Sequence, residues 1–184
     1  ELGIPNGATM ILSIGELNEN KNHESVIRAL AEIGQTVSTN IYYVIVGKGV
    51  LEEKLKRTAA ESGLEEQIIL TGFRTDVIDF YHSADIFVFP SYREGLSVAL
   101  MEAMASGLPI AASHIRGNCD LIDLQGGNLF NPHDVSDIQK KVLDLLSLPD
   151  VELKKMGTHN KEKIKNFSRN VVQKTMTEIY KDIS

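Results

Sequence analysis

The chain alternates short apolar strands with helical segments from its first residues onward. The predicted strands are apolar at consecutive positions rather than at every second one, as in Ile86-Phe87-Val88-Phe89. Continuous apolar strands are typical of parallel sheets that are covered by helices on both faces. The alternation of strands and helices favours the same arrangement. The sequence therefore predicts a doubly wound α/β domain with a mostly parallel sheet.

Apolar periodicity, with glycine and proline as boundaries, places the individual elements. Six strands are predicted, at 8–14, 41–46, 68–70, 86–89, 110–112 and 128–130. Helices are predicted at 22–33, 51–62, 96–106, 135–146, 151–166 and 170–182, and a short one capped by Asp76 is predicted to end at Ser83. The apolar stripe of the last helix is expected to pack on its own domain.

Composition limits the classes of partner. A net charge of −6 provides no basic field for nucleic acid, so no nucleic-acid partner is expected. The lone Cys119 excludes a disulfide framework within the chain and fits a reducing compartment. We therefore expect a cytoplasmic protein, with residues 1–7 as a linker and residues 8–184 as one domain.

One junction between a strand and a helix concentrates chemically useful groups. An apolar strand leads into Ser91 and then into a turn that holds Glu94, and a helix follows. The first amides of a helix lack intrahelical partners, and the helix dipole favours negative charge there. We therefore expect the amides of Gly95, Leu96 and Ser97 to form an anion site.

Two acids flank this anion site. Glu94 lies in the turn, and Glu102 lies eight residues later, about 12 Å away along the helix. Glu102 could be an ordinary solvated acid, but its neighbours are apolar, and an acid in a mostly buried helix needs a partner. Carboxylates on both sides of a phosphate site suit a nucleotide sugar, which carries hydroxyls on both sides of its phosphates.

Further candidates lie where parallel strands end and where such folds bind ligands. Lys21 comes shortly after Gly15, at the end of the first strand. Gly72 and Arg74 follow the third strand, and Arg93 lies in the turn after the fourth. A surface lysine is usually only a solvated charge, but at this edge Lys21 can act as a point charge for a phosphate. The two arginines are alternatives.

Other motifs are weak. Gly47-Lys48-Gly49 begins like a dinucleotide fingerprint, but position 52 is Glu and the segment follows the second strand. We expect it to form a tight turn that tolerates phosphate. The histidines lack metal-ligand spacing and no Asp-x-Asp occurs, so the sequence predicts neither a metal nor another cofactor.

Taken together, these motifs resemble the C-terminal, donor-binding domain of the retaining GT-B glycosyltransferases of family 4, the group 1 glycosyl transferases. The resemblance spans nearly the whole chain and centres on the E-x7-E motif, here Glu94 and Glu102. Supporting matches are the segments 14–17, 21–22, 46–49, 70–74 and 84–91. The chain is most similar to members that build bacterial capsule, exopolysaccharide or lipopolysaccharide. The implied fold is one Rossmann-like half of a GT-B enzyme.

The resemblance also implies roles for matching residues. Lys21 would hold the donor diphosphate, Glu94 would contact the hydroxyls of the donor sugar, and Glu102 would hold the ribose. The amides of residues 95–97 would bind the distal phosphate, and Gly72-Phe73-Arg74 would border the base. The implied reaction moves a sugar from a nucleoside diphosphate, most readily UDP, to a hydroxyl of a glycan or a lipid-linked sugar. It retains the anomeric configuration and uses no metal.

Two further expectations follow from the resemblance. Many members carry an arginine directly after the strand-end glycine, whereas this chain has Glu16, which removes a cation from the expected phosphate site unless Arg93 compensates. The family also needs an N-terminal acceptor domain, which is absent from this chain and toward which the last helix would cross. We expect the isolated chain to fold and to bind nucleotide weakly, but not to transfer sugar.

The sequence leaves other functions open. A sugar-nucleotide epimerase of GT-B architecture would bind the same ligand, and a non-catalytic nucleotide-binding module would keep only the site. The parent protein could also lie peripherally at the inner face of the cytoplasmic membrane.

Overall fold

Six parallel strands form a single sheet in the computed structural model, which describes residues 2–35 and 40–168, together with 171 and 173. The strands are β1 (Thr9–Ile14), β2 (Ile41–Val46), β3 (Ile68–Gly72), β4 (Ile86–Phe89), β5 (Ile110–Ser113) and β6 (Gly127–Phe130). Their order is β3-β2-β1-β4-β5-β6, and every neighbouring pair is parallel. The predicted doubly wound, Rossmann-like α/β fold is confirmed.

Helices connect the strands and cover both faces of the sheet. They are α1 (His23–Gly34), α2 (Glu52–Glu61), α3 (Val77–Ser83), α4 (Val98–Ser106), α5 (Arg116–Leu121), α6 (Val135–Leu146) and α7 (Asp150–Ile164). Short 3-10 helices occur at Glu19–Lys21 and Lys165–Phe167. Among the described residues, no helix combines the length and apolar character that crossing a bilayer requires.

The strands supply two hydrophobic clusters, one on each face. Successive residues of a strand point to opposite sides of the sheet. In β4, Ile86 and Val88 therefore pack with α1, α2 and α6, whereas Phe87 and Phe89 pack with α3 and α4. Because both faces are covered, the strands need apolar residues at every position, which explains their lack of alternation.

The strand order reverses between β1 and β4. From β1 the chain continues to β2 on one side, and from β4 it continues to β5 on the other. The loops that leave these two central strands therefore diverge and open a crevice at their carboxyl ends, where doubly wound folds bind ligands.

The observed elements differ from the predicted ones in a few places. The short helix α5 was not predicted, because Gly117 and Asn118 are poor helix formers. Helix α4 begins at Val98, two residues later than predicted, and α7 ends at Ile164 before a 3-10 turn. The strand ends agree with the predictions to within two residues. The helix predicted over 170–182 lies outside the described residues except at positions 171 and 173.

Candidate functional site

Lys21 and Glu94 meet across the crevice. Lys21 Nζ donates a hydrogen bond to Glu94 Oε1 at 2.6 Å, and the two side chains are only 20% and 16% exposed. The lysine nitrogen lies 5.1 Å from the centroid of the Phe89 ring. Its aliphatic stem passes over Gly15, where a Cβ atom would lie 3.2 Å from Lys21 Cε. The strand order thus brings together the predicted cation and the predicted acid.

Hydrogen bonds from Asn20 join the loops that carry this pair. The backbone amide of Tyr92 donates to Asn20 O at 2.8 Å, and Asn20 Nδ2 donates to Arg93 O at 2.9 Å. These bonds lie one residue away from Lys21 on one loop and one or two residues away from Glu94 on the other. They limit how far the two charged groups can separate. Asn20 was not among the predicted site residues, because nothing in the local sequence indicates its distant partners.

Asn22 ties the same loops together from within the protein. It is 6% exposed and has left-handed backbone angles (φ 52°, ψ 31°), which asparagine tolerates better than most residues. Its Nδ2 donates to Pro90 O at 3.3 Å and to Pro132 O at 3.0 Å. One buried amide therefore connects the loops that follow β1, β4 and β6, directly after Lys21.

Gly47-Lys48-Gly49 lies against the backbone of the β1 loop. A Cβ atom on Gly47 would fall 1.9 Å from Gly15 O, and one on Gly49 would fall 2.3 Å from Leu17 O. The amide of Leu17 donates to Lys48 O at 3.0 Å. This close approach of two backbones explains both glycines and anchors the loop that leads to Lys21.

Glu102 has a tyrosine as its partner. The hydroxyl of Tyr81, on α3, donates a hydrogen bond that Ala99 O accepts at 3.0 Å and Glu102 Oε2 accepts at 3.1 Å. Within the described part of the chain, no lysine, arginine or histidine forms an ion pair with Glu102. Burial, followed by the neighbouring carboxylate, raises the pKa of Tyr81 above its usual range, so the tyrosine stays a neutral donor. The expectation that this acid needs a partner is confirmed.

The helix α4 starts two residues later than predicted. Ser97 is the N-cap, with its Oγ accepting a hydrogen bond from Leu100 N at 3.4 Å, so Gly95 and Leu96 lie in the preceding loop rather than in the helix. Ser97 wins this position because its hydroxyl can satisfy a free helix amide. Among the described residues, the amides of Gly95, Leu96 and Ser97 have no hydrogen-bond acceptor. They remain available to an anion.

Helix α5 supports the Glu94 turn from the side. A Cβ atom on Gly117 would lie 2.0 Å from Gly95 O and 3.0 Å from Glu94 O. Three buried polar atoms near the ends of β4 and β5 lack a hydrogen-bond partner in the described chain: Ser91 Oγ, Ser113 Oγ and Asn118 Oδ1. The predicted site residue Ser91 is therefore fully buried, and its hydroxyl is unsatisfied. In the sequence, the only sign of the contact between α5 and the Glu94 turn was the glycine at position 117.

The Gly72-Phe73-Arg74 turn follows β3 at the same edge of the sheet. Gly72 has a left-handed φ of 71°, and the Phe73 side chain is 70% exposed. Arg74 forms hydrogen bonds of 2.8 and 2.5 Å with the Asp76 carboxylate, and these bonds hold the pKa of Asp76 below its usual value. Asp76 is the N-cap residue of α3, as predicted, but its carboxylate bonds Arg74 and makes no capping hydrogen bond to a helix amide.

The remaining charged candidates are exposed. Arg93 forms no ion pair with any described residue, and only its carbonyl takes part in the contacts between loops. Glu16 accepts a hydrogen bond from Asn18 Nδ2 at 2.9 Å and does not pair with Lys21. The described residues contain no group of three metal-ligating side chains.

Comparison with known proteins identifies the family. Residues 1–164 match the family described as "Glycosyl transferases group 1". The chain belongs to the group 1 glycosyl transferases. It is 30% identical over 178 residues to the amylovoran biosynthesis glycosyltransferase AmsK of Erwinia amylovora, covering 92% of this chain and 44% of AmsK.

Other proteins similar to this group 1 glycosyl transferase include an enzyme and a solved complex. It is 29% identical over 157 residues to the Escherichia coli UDP-Gal:α-D-GlcNAc-diphosphoundecaprenol α-1,3-galactosyltransferase, covering 79% of this chain and 41% of that enzyme. Anabaena HepE, solved in complex with UDP, superposes with a TM-score of 0.84 at 18% identity, covering 96% of this chain and 49% of HepE. The chain thus spans less than half the length of these proteins.

Proposed function

We propose that this chain is the donor-binding half of a retaining, metal-independent glycosyltransferase of family 4 that acts in surface polysaccharide or glycolipid synthesis. The observation that carries the proposal is the Lys21–Glu94 pair at the point where the strand order reverses. A cation and an acid held together beside free amides suit a ligand that is both anionic and rich in hydroxyls.

In this proposal, the bound donor replaces the contact between Lys21 and Glu94. The diphosphate takes over the lysine, while the free amides of residues 95–97 bind its distal phosphate. Glu94 then accepts hydrogen bonds from hydroxyls of the donor sugar. As the sugar–phosphate bond breaks, negative charge grows on the leaving diphosphate, and Lys21 with the dipole of α4 stabilises it. These residues themselves supply the positive charge that a metal would otherwise provide.

Glu102 and the β3 turn would bind the nucleoside. The Glu102 carboxylate accepts hydroxyl groups of the ribose, and the exposed Phe73 ring offers an apolar surface to the base. UDP is the nucleotide we expect. HepE was solved with UDP, and the galactosyltransferase relative is named for a UDP sugar.

The second half of the crevice would come from an N-terminal acceptor domain, with residues 1–7 as the remnant of the linker to it. We propose that the acceptor is a glycan or a lipid-linked sugar and that the parent acts in the cytoplasm, free or at the inner membrane face. The galactosyltransferase relative, which is named for a diphosphoundecaprenol substrate, supports this acceptor class. On this view, the 184-residue chain alone binds nucleotide weakly and transfers no sugar. Sugar transfer by that chain alone would contradict the proposal that the reaction requires both domains.

Calorimetry on the full-length protein with UDP, GDP and ADP tests the donor site. We expect binding to at least one nucleotide, weakened about tenfold or more by Lys21→Ala, because a charge-assisted contact with phosphate is lost. Lys56→Ala is the matched control, since Lys56 lies on the exposed face of α2 and pairs with Glu52 and Glu53. Failure of the wild-type protein to bind any of the three would refute the proposal and favour a scaffold.

Two further measurements test the reaction. Transfer should persist in excess EDTA, and NMR should show that the product keeps the anomeric configuration of the donor. Conversion of the donor sugar in the absence of acceptor would instead identify an epimerase.

A further inference from the structure

Glu102 and Tyr81 form a contact between helices that packing alone does not require. Tyr81 lies on α3 and Glu102 on α4, and both helices cover the same face of the sheet. The tyrosine hydroxyl lies 3.1 Å from Glu102 Oε2 and 3.0 Å from Ala99 O. It therefore contacts two residues that are three positions apart on one face of α4. A glutamate facing only solvent would not need such a partner.

The tyrosine ring is held firmly in place. Tyr81 is 2% exposed, and its ring centroid lies 5.8 Å from that of Phe87, which in turn stacks on Phe89 at 6.1 Å. Both phenylalanines belong to β4, the strand that leads into the Glu94 turn. A flexible glutamate side chain is therefore oriented by a hydroxyl whose position the core fixes.

The chemistry of this contact selects the kind of ligand. Tyr81 has one hydroxyl proton, which Ala99 O and Glu102 Oε2 share, so Glu102 takes part in this contact only as an acceptor. Oε2 is engaged by the tyrosine, whereas Oε1 has no hydrogen-bond donor among the residues that the structure describes. Because no described cation neutralises the carboxylate, it would repel a phosphate and favour hydroxyl donors. Two adjacent hydroxyls can donate to one oriented carboxylate.

We propose that Tyr81 is a positioning residue, which holds Glu102 in the orientation that accepts the 2′- and 3′-hydroxyls of the nucleotide ribose. This inference rests on the proposed function, since it assumes that Glu102 faces the ribose. It adds a residue from a second helix, outside the E-x7-E motif, to the recognition of the nucleotide.

The test compares each nucleoside diphosphate that binds with its 2′,3′-dideoxy analogue, by calorimetry on the full-length protein. The wild-type protein should prefer the natural nucleotide by about tenfold or more, because a carboxylate built for hydroxyls is left unpaired by the analogue. Tyr81→Phe removes only the hydroxyl and keeps the ring packing. We expect it to lower this preference about fivefold while leaving affinity for the dideoxy analogue unchanged.

Two controls separate positioning from folding. Tyr43→Phe removes another buried hydroxyl, one that donates to Ser13 Oγ at 2.8 Å, and should leave the preference unchanged. In a Glu102→Gln background, Tyr81→Phe should have little further effect, because the two residues act through one contact.

The outcomes distinguish the two levels of the proposal. If the wild-type protein prefers the natural nucleotide but Tyr81→Phe weakens both ligands equally, or neither, the positioning role is refuted and the donor site stands. If the wild-type protein binds both ligands equally, the ribose assignment of Glu102 and the role of Tyr81 fail together. If it binds no nucleotide, the proposed function fails as well.

Discussion

Glu94 and Glu102 belong to one motif, yet the protein holds them in different ways. Glu94 lies on a loop and pairs with the charged Lys21, which lies on another loop. Glu102 lies within a helix and is held by the neutral Tyr81, which is embedded in the core. Under the proposed function, the first arrangement exchanges partners when the donor binds, whereas the second is already oriented for its ligand. We therefore propose that the loop end carries the reaction and the helix end carries recognition.

The strongest test of this comparison removes the loop pair. Glu94→Ala and Lys21→Ala should each lower kcat on the order of 100- to 1,000-fold in the full-length protein, because each contributes to the transition state. Steady-state transfer kinetics at saturating donor measures the effect. Glu53→Ala, on the exposed face of α2, is the matched control. Near-normal kcat in either site variant would show that the chemistry lies elsewhere.

Removing the charge at the helix end should affect binding instead. Glu102→Gln keeps the size of the side chain and should raise the KM for the donor about tenfold, with kcat changed less than about twofold. The same kinetic assay separates the two parameters. A loss confined to kcat would erase the proposed distinction between the two acids.

A smaller effect is expected from the hydrogen bonds between the loops. Asn20→Ala removes the donor to Arg93 O and should lower kcat about fivefold, the equivalent of one hydrogen bond of about 1 kcal/mol. The preference for the natural nucleotide over its 2′,3′-dideoxy analogue, which involves Glu102, should not change. Asn128→Ala removes a similar bond, to Lys141 O, far from the crevice and should leave kcat unaltered. Equal losses in both variants would indicate a general effect on folding.

The smallest expected effect, near neutral pH, is a pH dependence of the folding stability that comes from His23, close to Lys21. His23 is buried next to Lys21, and burial, followed by the charge of Lys21, lowers its pKa from 6.5 to about 3. The folded chain therefore keeps His23 neutral while the unfolded chain protonates it below about pH 6.5. His23 therefore does not reduce the free energy of unfolding above pH 6.5. Below pH 6.5 this free energy falls as the pH drops toward 3.

Urea unfolding measures this dependence. Between pH 7 and pH 6 the loss from His23 should be less than about 1 kcal/mol, and it should steepen at lower pH. His23→Gln should flatten this part of the profile while the carboxylates titrate as before. An unchanged slope in that variant would show that His23 is not the group responsible.

Much of the architecture could be predicted from local patterns. Continuous apolar strands predicted the parallel sheet, and the spacing of Glu94 and Glu102 placed two acids around a helix start. The prediction placed the start of α4 two residues too early, because Gly95 and Leu96 look compatible with a helix start. Only the capping role of the Ser97 side chain places them in the loop.

The missing parts depend on contacts between distant residues. The Lys21–Glu94 pair joins residues 73 positions apart, and Tyr81 reaches Glu102 from a different helix. These contacts follow from the strand order, which local periodicity does not encode. Helix α5 escaped prediction because Gly117 disfavours a helix locally, whereas its contact with the Gly95 carbonyl requires a glycine.

The contact of Gly47 and Gly49 with the β1 loop has a practical consequence for engineering. The β1 loop lies so close that it leaves no room for a side chain at Gly47 or Gly49. Anyone who grafts the lysine-bearing loop from a relative, in order to change the sugar that is transferred, would have to move both segments as one cassette. Exchanging one alone would displace Lys21, the proposed catalytic charge, through glycines that contact only the backbone of its loop.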